Sequence, residues 1–214
     1  MPTRQIIMIK KHLYITLLGL LSAITAIATP YCDIRKFSIA DGLAANTISD
    51  IKQGNDKLMW FATWNGLSYY DGYSFHTFRD EPDGVSVLST NRILNIQPTA
   101  ANNVWCITQD HKLYLYDTHL CQFLKTSNQI NEKFKVDFRA DNIYDINGGN
   151  TWVTSANADY LLRTNDTDVL DFELIHVGQK GLKSGKVYFI YGDKKHREWI
   201  LTDKGTTIYG KKFS

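Results

Sequence analysis

The 214-residue chain is short of sulfur and proline, with 3 Cys, 3 Met and 4 Pro. So few cysteines, and an odd number, cannot form a disulfide framework for a chain of this length, so stability must come from a packed core. An excess of one charge is also lacking, with 24 Lys plus Arg against 22 Asp plus Glu. That balance gives no ground for nucleic acid as a partner. No HExxH, CxxC or nucleophile-elbow pattern occurs, and no GxxxxGK phosphate loop followed by Ser or Thr, so no metal site, cofactor or catalytic residue is expected. A composition 43% hydrophobic and 21% charged excludes a disordered tail, and 13% aromatic residues with 14 Gly and 12 Tyr favour strands.

What is present begins with an address. Leu13 to Ala28 is an apolar run of 16 residues behind Lys10, Lys11 and His12, ending in Ala26, Ile27 and Ala28. A charged head, an apolar middle and a small-x-small end make up a secretory signal, with cleavage expected after Ala28. The run is shorter than the about 20 residues of a spanning helix, and an uncleaved anchor is the alternative. Tyr31 before Cys32 is too bulky for a lipoprotein signal. Residues 1–28 therefore read as a signal peptide and residues 29–214 as an exported, periplasmic region. Without Arg4, Lys10 and Lys11 the remainder carries 21 cations against 22 acids.

Four of the five tryptophans, Trp60, Trp105, Trp152 and Trp199, are separated by 45, 47 and 47 residues. A hydroxyl stands three positions after each, at Thr63, Thr108, Ser155 and Thr202. An apolar-x-x-Ile pattern precedes each, as Ile48 to Ile51, Ile93 to Ile96, Ile143 to Ile146 and Val187 to Ile190. Each unit divides into short β-like runs between turn residues. In the first unit they are TISDIKQ, LMWFAT, LSYYD and YSFHTF. Four strands at this period predict an all-β fold, a β-propeller of four-stranded antiparallel blades. The blades fall at about residues 46–78, 91–124, 142–174 and 186–214.

Arg35 to Ile39 reads as a leading strand that closes a ring by completing the last blade. The sixteen strands then either close as four blades or form the opening part of a larger ring, whose open edges invite association. Face-to-face blades bury both faces of each sheet, so VWCIT and EWILT are expected to be buried at successive positions. The periodic tryptophans are assigned to inter-blade core. Thr63, Thr108, Ser155 and Thr202 are assigned to local turns. Asp50 and Asp145 repeat with the blade and read as structural carboxylates. Cys106 and Cys121 fall on strands separated by a third, about 9–10 Å apart at the usual strand spacing. A disulfide spans at most about 7 Å, so no bridge is expected.

The stretch Phe37 to Phe78 resembles the opening of the two-component regulator propeller family. The residues that carry the likeness are Asp41, Gly42, Leu43, Asn46, Trp60, Thr63, Asn65, Gly66, Leu67, Tyr70, Asp71 and Gly72. The likeness weakens afterwards. His111 stands where the family favours Gly, the third unit keeps only Trp152 and Ser155, and the fourth keeps Trp199, Thr202 and Gly205. The resemblance implies the periplasmic sensor half of a Bacteroidetes hybrid two-component system, which detects oligosaccharides. In such proteins further blades, a β-sandwich, a membrane helix, a histidine kinase and a receiver follow. None is present by Ser214, so the chain is expected to bind rather than phosphorylate, with full-length relatives in the inner membrane.

In an up-and-down blade, the turn between the second and third strands and the connection to the next blade leave on one face. The inter-blade connections, about Arg79 to Thr90, Lys125 to Asp141 and His176 to Gly185, are long, and variable loops on a rigid scaffold carry binding. That face receives Trp64, Asn65, Gln109, Asp110, His111, Asp203 and Lys204, the candidate ligand residues. Trp64 is the one tryptophan out of phase with the repeat, and an aromatic beside Asn suits sugar stacking and hydroxyl bonding. The expected partners are an oligosaccharide, and further propeller blades or a homodimer partner. A membrane enters only through a missing downstream segment or an uncleaved signal. Two other readings stand beside the sensor: a free-standing exported propeller binding a protein or glycan, and a propeller lyase with His and acids converging on the channel mouth.

Overall fold

The computed structural model describes residue 8 and residues 10–17, 33–80, 87–146, 150–165, 168–179, 181, 182 and 185–209, with strand placement alone for 168–170. The chain divides into two units, Met1–Lys36 and Phe37–Ser214. In the first, residues 10–17 are helical. No helix among the described residues is long and apolar enough to cross a membrane. The expected cleavage site and Cys32 lie outside the described residues.

The second unit is built of four antiparallel sheets in chain order. The first holds β1 (Ile48–Gln53), β2 (Met59–Thr63), β3 (Gly66–Tyr70) and β4 (Phe75–Phe78). The second holds β5 (Ile93–Pro98), β6 (Val104–Thr108), β7 (Leu113–Asp117) and β8 (Gln122–Leu124). The third holds β9 (Ala140–Ile146), β10 (Asn150–Ser155), β11 (Tyr160–Asn165) and β12 (Asp168–His176). The fourth has three strands among the described residues, β13 (Val187–Gly192), β14 (Glu198–Thr202) and β15 (Gly205–Tyr209). Among the described residues, strands pair only with their sequence neighbours, and the first strands touch in succession, β1 with β5, β5 with β9 and β9 with β13.

The cores lie between the sheets. Trp60, Ala62 and Leu67 of blade 1 pack on Ile93, Ile96, Val104, Cys106 and Tyr116 of blade 2. Trp105, Ile107 and Leu115 of blade 2 pack on Ile143, Val153, Leu162 and Phe172 of blade 3. Ile146, Trp152 and Leu161 of blade 3 pack on Val187, Ile190 and Ile200 of blade 4. In each core the periodic indole meets a ring of the next blade: Trp60 with Tyr116 at 6.1 Å, Trp105 with Phe172 at 6.3 Å, and Trp152 with Tyr209 at 5.8 Å.

The fourth tryptophan differs. Trp199 is only partly buried, its indole donating to Asp193 Oδ2 at 3.1 Å with the Arg197 guanidinium 5.2 Å from its ring. VWCIT is buried at every position, whereas EWILT alternates and leaves Leu201 exposed. The expectation that both faces of EWILT are buried therefore fails. The face carrying Trp199 has no neighbouring sheet among the described residues, and burial of both faces requires one on each side.

The expected leading strand is also corrected. Arg35 to Ile39 forms no strand, and Ile39–Asp41 is a 3-10 turn with Ser38 and Asp41 in a reciprocal cap. From Phe37 the segment lies over the outward face of blade 1. Phe37 packs on Tyr70 and Phe75 at 5.0 and 5.3 Å, Ala44 N donates to Ser68 Oγ at 3.2 Å, and Thr77 Oγ1 donates to Gly42 O at 3.1 Å. Its donors and acceptors are met by these side chains and caps rather than by a ladder.

A helix not expected from the sequence, α1 (Thr126–Phe134), lies in the connection between blades 2 and 3. It buries Ile130, accepts Leu113 N on Ser127 Oγ at 2.6 Å, and accepts Phe138 N on Asn131 Oδ1 at 2.9 Å. Cys106 and Cys121 are free thiols, the first buried and the second exposed.

The β3–β4 hairpin turns on Asp71, whose Oδ1 accepts Tyr73 N and Ser74 N, both at 2.8 Å. Bonds from the Ser74 and Tyr73 amides, with help from His76 and against some burial, lower its pKa from 3.8 to about 2. A carboxyl lowered on folding stabilises above its unfolded pKa and loses that contribution as pH falls through its folded value. Asp71→Asn is therefore expected to flatten the loss of stability between about pH 4 and pH 2, read from denaturant unfolding at each pH.

Candidate functional site

The face that gathers the candidate residues is built by the turn between the second and third strands of each blade, two residues long in blades 1 and 4 and four in blades 2 and 3. In these turns, Thr63 and Thr202 hydroxyls donate to Gly66 O and Gly205 O at 2.8 and 3.0 Å, Thr108 Oγ1 lies 3.3 Å from Lys112 O, and Ser155 Oγ accepts Tyr160 N at 2.9 Å. The fourth turn position has positive φ throughout: Gly66 at 119°, His111 at 64°, Ala158 at 61° and Gly205 at 120°. Glycine takes this conformation freely, whereas a side chain there costs about 1–2 kcal/mol. The weaker family pattern in blades 2 and 3 thus goes with a longer turn, in which a residue other than glycine takes the positive φ.

The first residue of each turn is tied to the lead-in of its own blade. Trp64 N donates to Thr47 O, Gln109 N to Arg92 O, Ala156 N to Arg139 O and Asp203 N to Lys186 O, at 2.7–3.2 Å. Turn and lead-in are also tied to the next blade, by Gly66 N to Asn91 O and Ala140 N to His111 O, both 2.8 Å. The face is therefore a stitched rim on which side chains are held in fixed relation.

Blades 1 and 2 meet there through Arg92. Its guanidinium lies 5.1 Å from the Trp64 ring and donates from Nη1 to Gln109 Oε1 at 3.0 Å. Trp64 is 49% exposed, which leaves one side of the indole available. Asn65 Nδ2 is 3.5 Å from Ala44 O. Asp110 accepts Thr108 Oγ1 at 2.7 Å and pairs with Lys112 Nζ at 3.3 Å. Burial works against its charge, but donors from Ser89, Thr108 and Lys112 outweigh it and hold its carboxyl below the usual range. His111 Nδ1 lies 2.9 Å from Ala140 O.

Trp64, Asn65, Gln109, Asp110 and His111 thus form one strip across blades 1 and 2. Asp203 and Lys204 do not join it. They sit in the β14–β15 turn of blade 4, paired at 3.9 Å, with blade 3 between them and the strip. Asp50 bonds backbone, accepting Ile51 N at 2.9 Å and Ile96 N of the next blade at 3.1 Å.

Beyond His111 the strip opens into two hollows. One, about 280 Å³, lies between the β6–β7 turn, α1 and residues 137–139, and is lined by Asp110, His111, Lys112, Asn128, Asn131 and Arg139 among others. The other, also about 280 Å³, is lined by Leu88, Ser89, Lys112, Tyr114, Lys125 and Asn128 among others. They share Lys112 and Asn128. Sequence reasoning passed over Arg92 and Arg139, although Arg92, Arg139 and Lys186 hold the same place in successive repeats, 47 residues apart. No group of three metal-ligating side chains occurs among the described residues.

No protein-family model matches the chain, and no curated protein does. Solved structures do. The extracellular domain of the putative hybrid two component system BT4673 from B. thetaiotaomicron aligns with a TM-score of 0.58 at 19% identity, over 84% of this chain and 26% of that one. A catalytically inactive virginiamycin B lyase from Staphylococcus aureus aligns with a TM-score of 0.53 at 17% identity, over 84% of this chain and 56% of that one. The fold is a β-propeller of four-stranded blades. The chain spans about a quarter of the length of the BT4673 domain.

Proposed function

We propose that this propeller is a periplasmic ligand-sensing region of a hybrid two-component sensor and takes an oligosaccharide on the strip across blades 1 and 2. The observation that carries this reading is the half-exposed Trp64 indole, braced by Arg92 and bordered by Gln109 and Asn65. A rigid aromatic face beside amide groups offers a sugar both stacking and hydroxyl bonds. The likeness of Phe37 to Phe78 to the two-component regulator propellers, and the alignment with the BT4673 extracellular domain, support the sensor assignment. Against a lyase, His76, His111, His119, His176 and His196 are spread over outer strands and over turns at both ends of several blades instead of converging.

Trp64→Ala tests it. The substitution removes a half-exposed ring, so the thermal midpoint is expected to stay within a few degrees. Binding to whichever oligosaccharides the unaltered chain retains on a defined glycan array is expected to weaken about tenfold, the loss of one aromatic contact. Unchanged affinity by calorimetry would remove Trp64 from the site.

A further inference from the structure

We propose that the oligosaccharide taken by this face is acidic, carrying uronate or sulfate groups that lie in the two hollows on either side of Lys112; this rests on the reading of the face as a glycan site. The first support is the charge arrangement. Arg92, Lys112, Lys125 and Arg139 border one continuous path from Trp64 across blade 2 to the start of blade 3. Among the described residues, the carboxylates on that path are Asp110 and Asp137, the latter in the same hollow as Arg139. Asp110 is already occupied by the Thr108 hydroxyl and the Lys112 ammonium. Among the described residues, Lys125 and Arg139, one at each hollow, have no carboxylate partner, and no carboxylate lines the hollow that holds Lys125.

The second support is size and continuity. Each hollow of about 280 Å³ falls just short of the usual small-molecule pocket, but the pair joined across Lys112 and Asn128 falls within the range of about 300–1,000 Å³. A ligand filling both must pass that ammonium and meet a further cation at each end. A neutral sugar would use the Asn128, Asn131, Ser89 and Tyr114 groups and leave Lys125 and Arg139 idle. An acid group engages them through charge-assisted bonds, roughly twice as strong as neutral ones. The third support is repetition, because Arg92 and Arg139 occupy equivalent lead-in positions and so recur along the face at blade spacing.

The test uses calorimetric titration of the full chain with trigalacturonate, a sulfated trisaccharide and an uncharged trisaccharide. Trigalacturonate or the sulfated sugar is expected to bind at least about tenfold more tightly than the uncharged one, with affinity falling as salt rises. Replacing both exposed cations, Lys125→Ala with Arg139→Ala, should remove that advantage while leaving the circular dichroism spectrum unchanged. The stronger of the two acidic ligands identifies carboxylate or sulfate as the group read. Equal binding of charged and uncharged sugars, or an acidic preference that survives the double substitution, overturns this inference and leaves the glycan site standing. Absence of binding by all three overturns both.

Discussion

Trp105→Ala is expected to destabilise the chain by about 3–5 kcal/mol, whereas Trp199→Ala, at the equivalent position of the repeat, should cost only about 1–2 kcal/mol. Trp105 is wholly buried between blades 2 and 3, against Phe172 and among Ile143, Val153 and Leu162. Removing it leaves a cavity lined by two sheets whose strands are fixed by their ladders, so the site cannot collapse. Trp199 keeps part of its ring in solvent, and its loss forfeits the Asp193 bond and the contact with Arg197 without opening an enclosed void. Guanidinium unfolding of the two variants reads the difference directly. Equal costs would mean that the periodic indoles are not wedges between blades.

Arg163→Ala is expected to be about as damaging, at about 3–5 kcal/mol, because it strands a buried carboxylate. The Glu198 side chain is 5% exposed, where Arg163 Nη2 reaches it across the blade 3–4 interface at 3.1 Å. Asn150 Nδ2 donates to the same oxygen at 2.8 Å, and one amide does not balance a full charge. Glu198→Gln keeps the shape and an acceptor and should cost less, about 1–2 kcal/mol. Guanidinium unfolding of both variants reads the difference, and equal costs would place the Arg163→Ala loss in packing over Trp152, where the guanidinium lies 5.5 Å from the ring.

The blades were legible because a buried indole is a large signal repeated at a nearly constant interval. The tryptophans at 60, 105, 152 and 199 mark four second strands even where the surrounding motif has decayed. The helix α1 was not legible, since in TSNQINEKF only Ile130 and Phe134 are apolar, too few for a helical stripe. The segment from Phe37 looked like a strand because RKFSI is short and β-compatible. Its true signal is the Ser38 and Asp41 pair, a helix-cap spacing that competes with strand formation.

At the site, Trp64 stood out by falling outside the repeat, and the structure gives it Arg92 and Gln109 as neighbours. Arg92 was passed over, and the bonds of Gln109 N to Arg92 O and of Gly66 N to Asn91 O are what set it between the turn of its own blade and that of blade 1. Asp203 and Lys204 were grouped with the strip by face alone. A shared face says nothing of distance around the arc, and blade 3 separates them.

The most direct measurement is the set of indole N–H resonances of the ¹⁵N-labelled chain during titration with a glycan retained on the array, the Trp64 signal being identified by its loss in Trp64→Phe. The chain holds five tryptophans, and three of them, Trp60, Trp105 and Trp152, are buried between blades. The Trp64 resonance is expected to move progressively to saturation while the resonances of those three stay in place. A stationary Trp64 signal under saturating glycan, or shifts confined to the buried indoles, would contradict the assignment of this rim as the binding face.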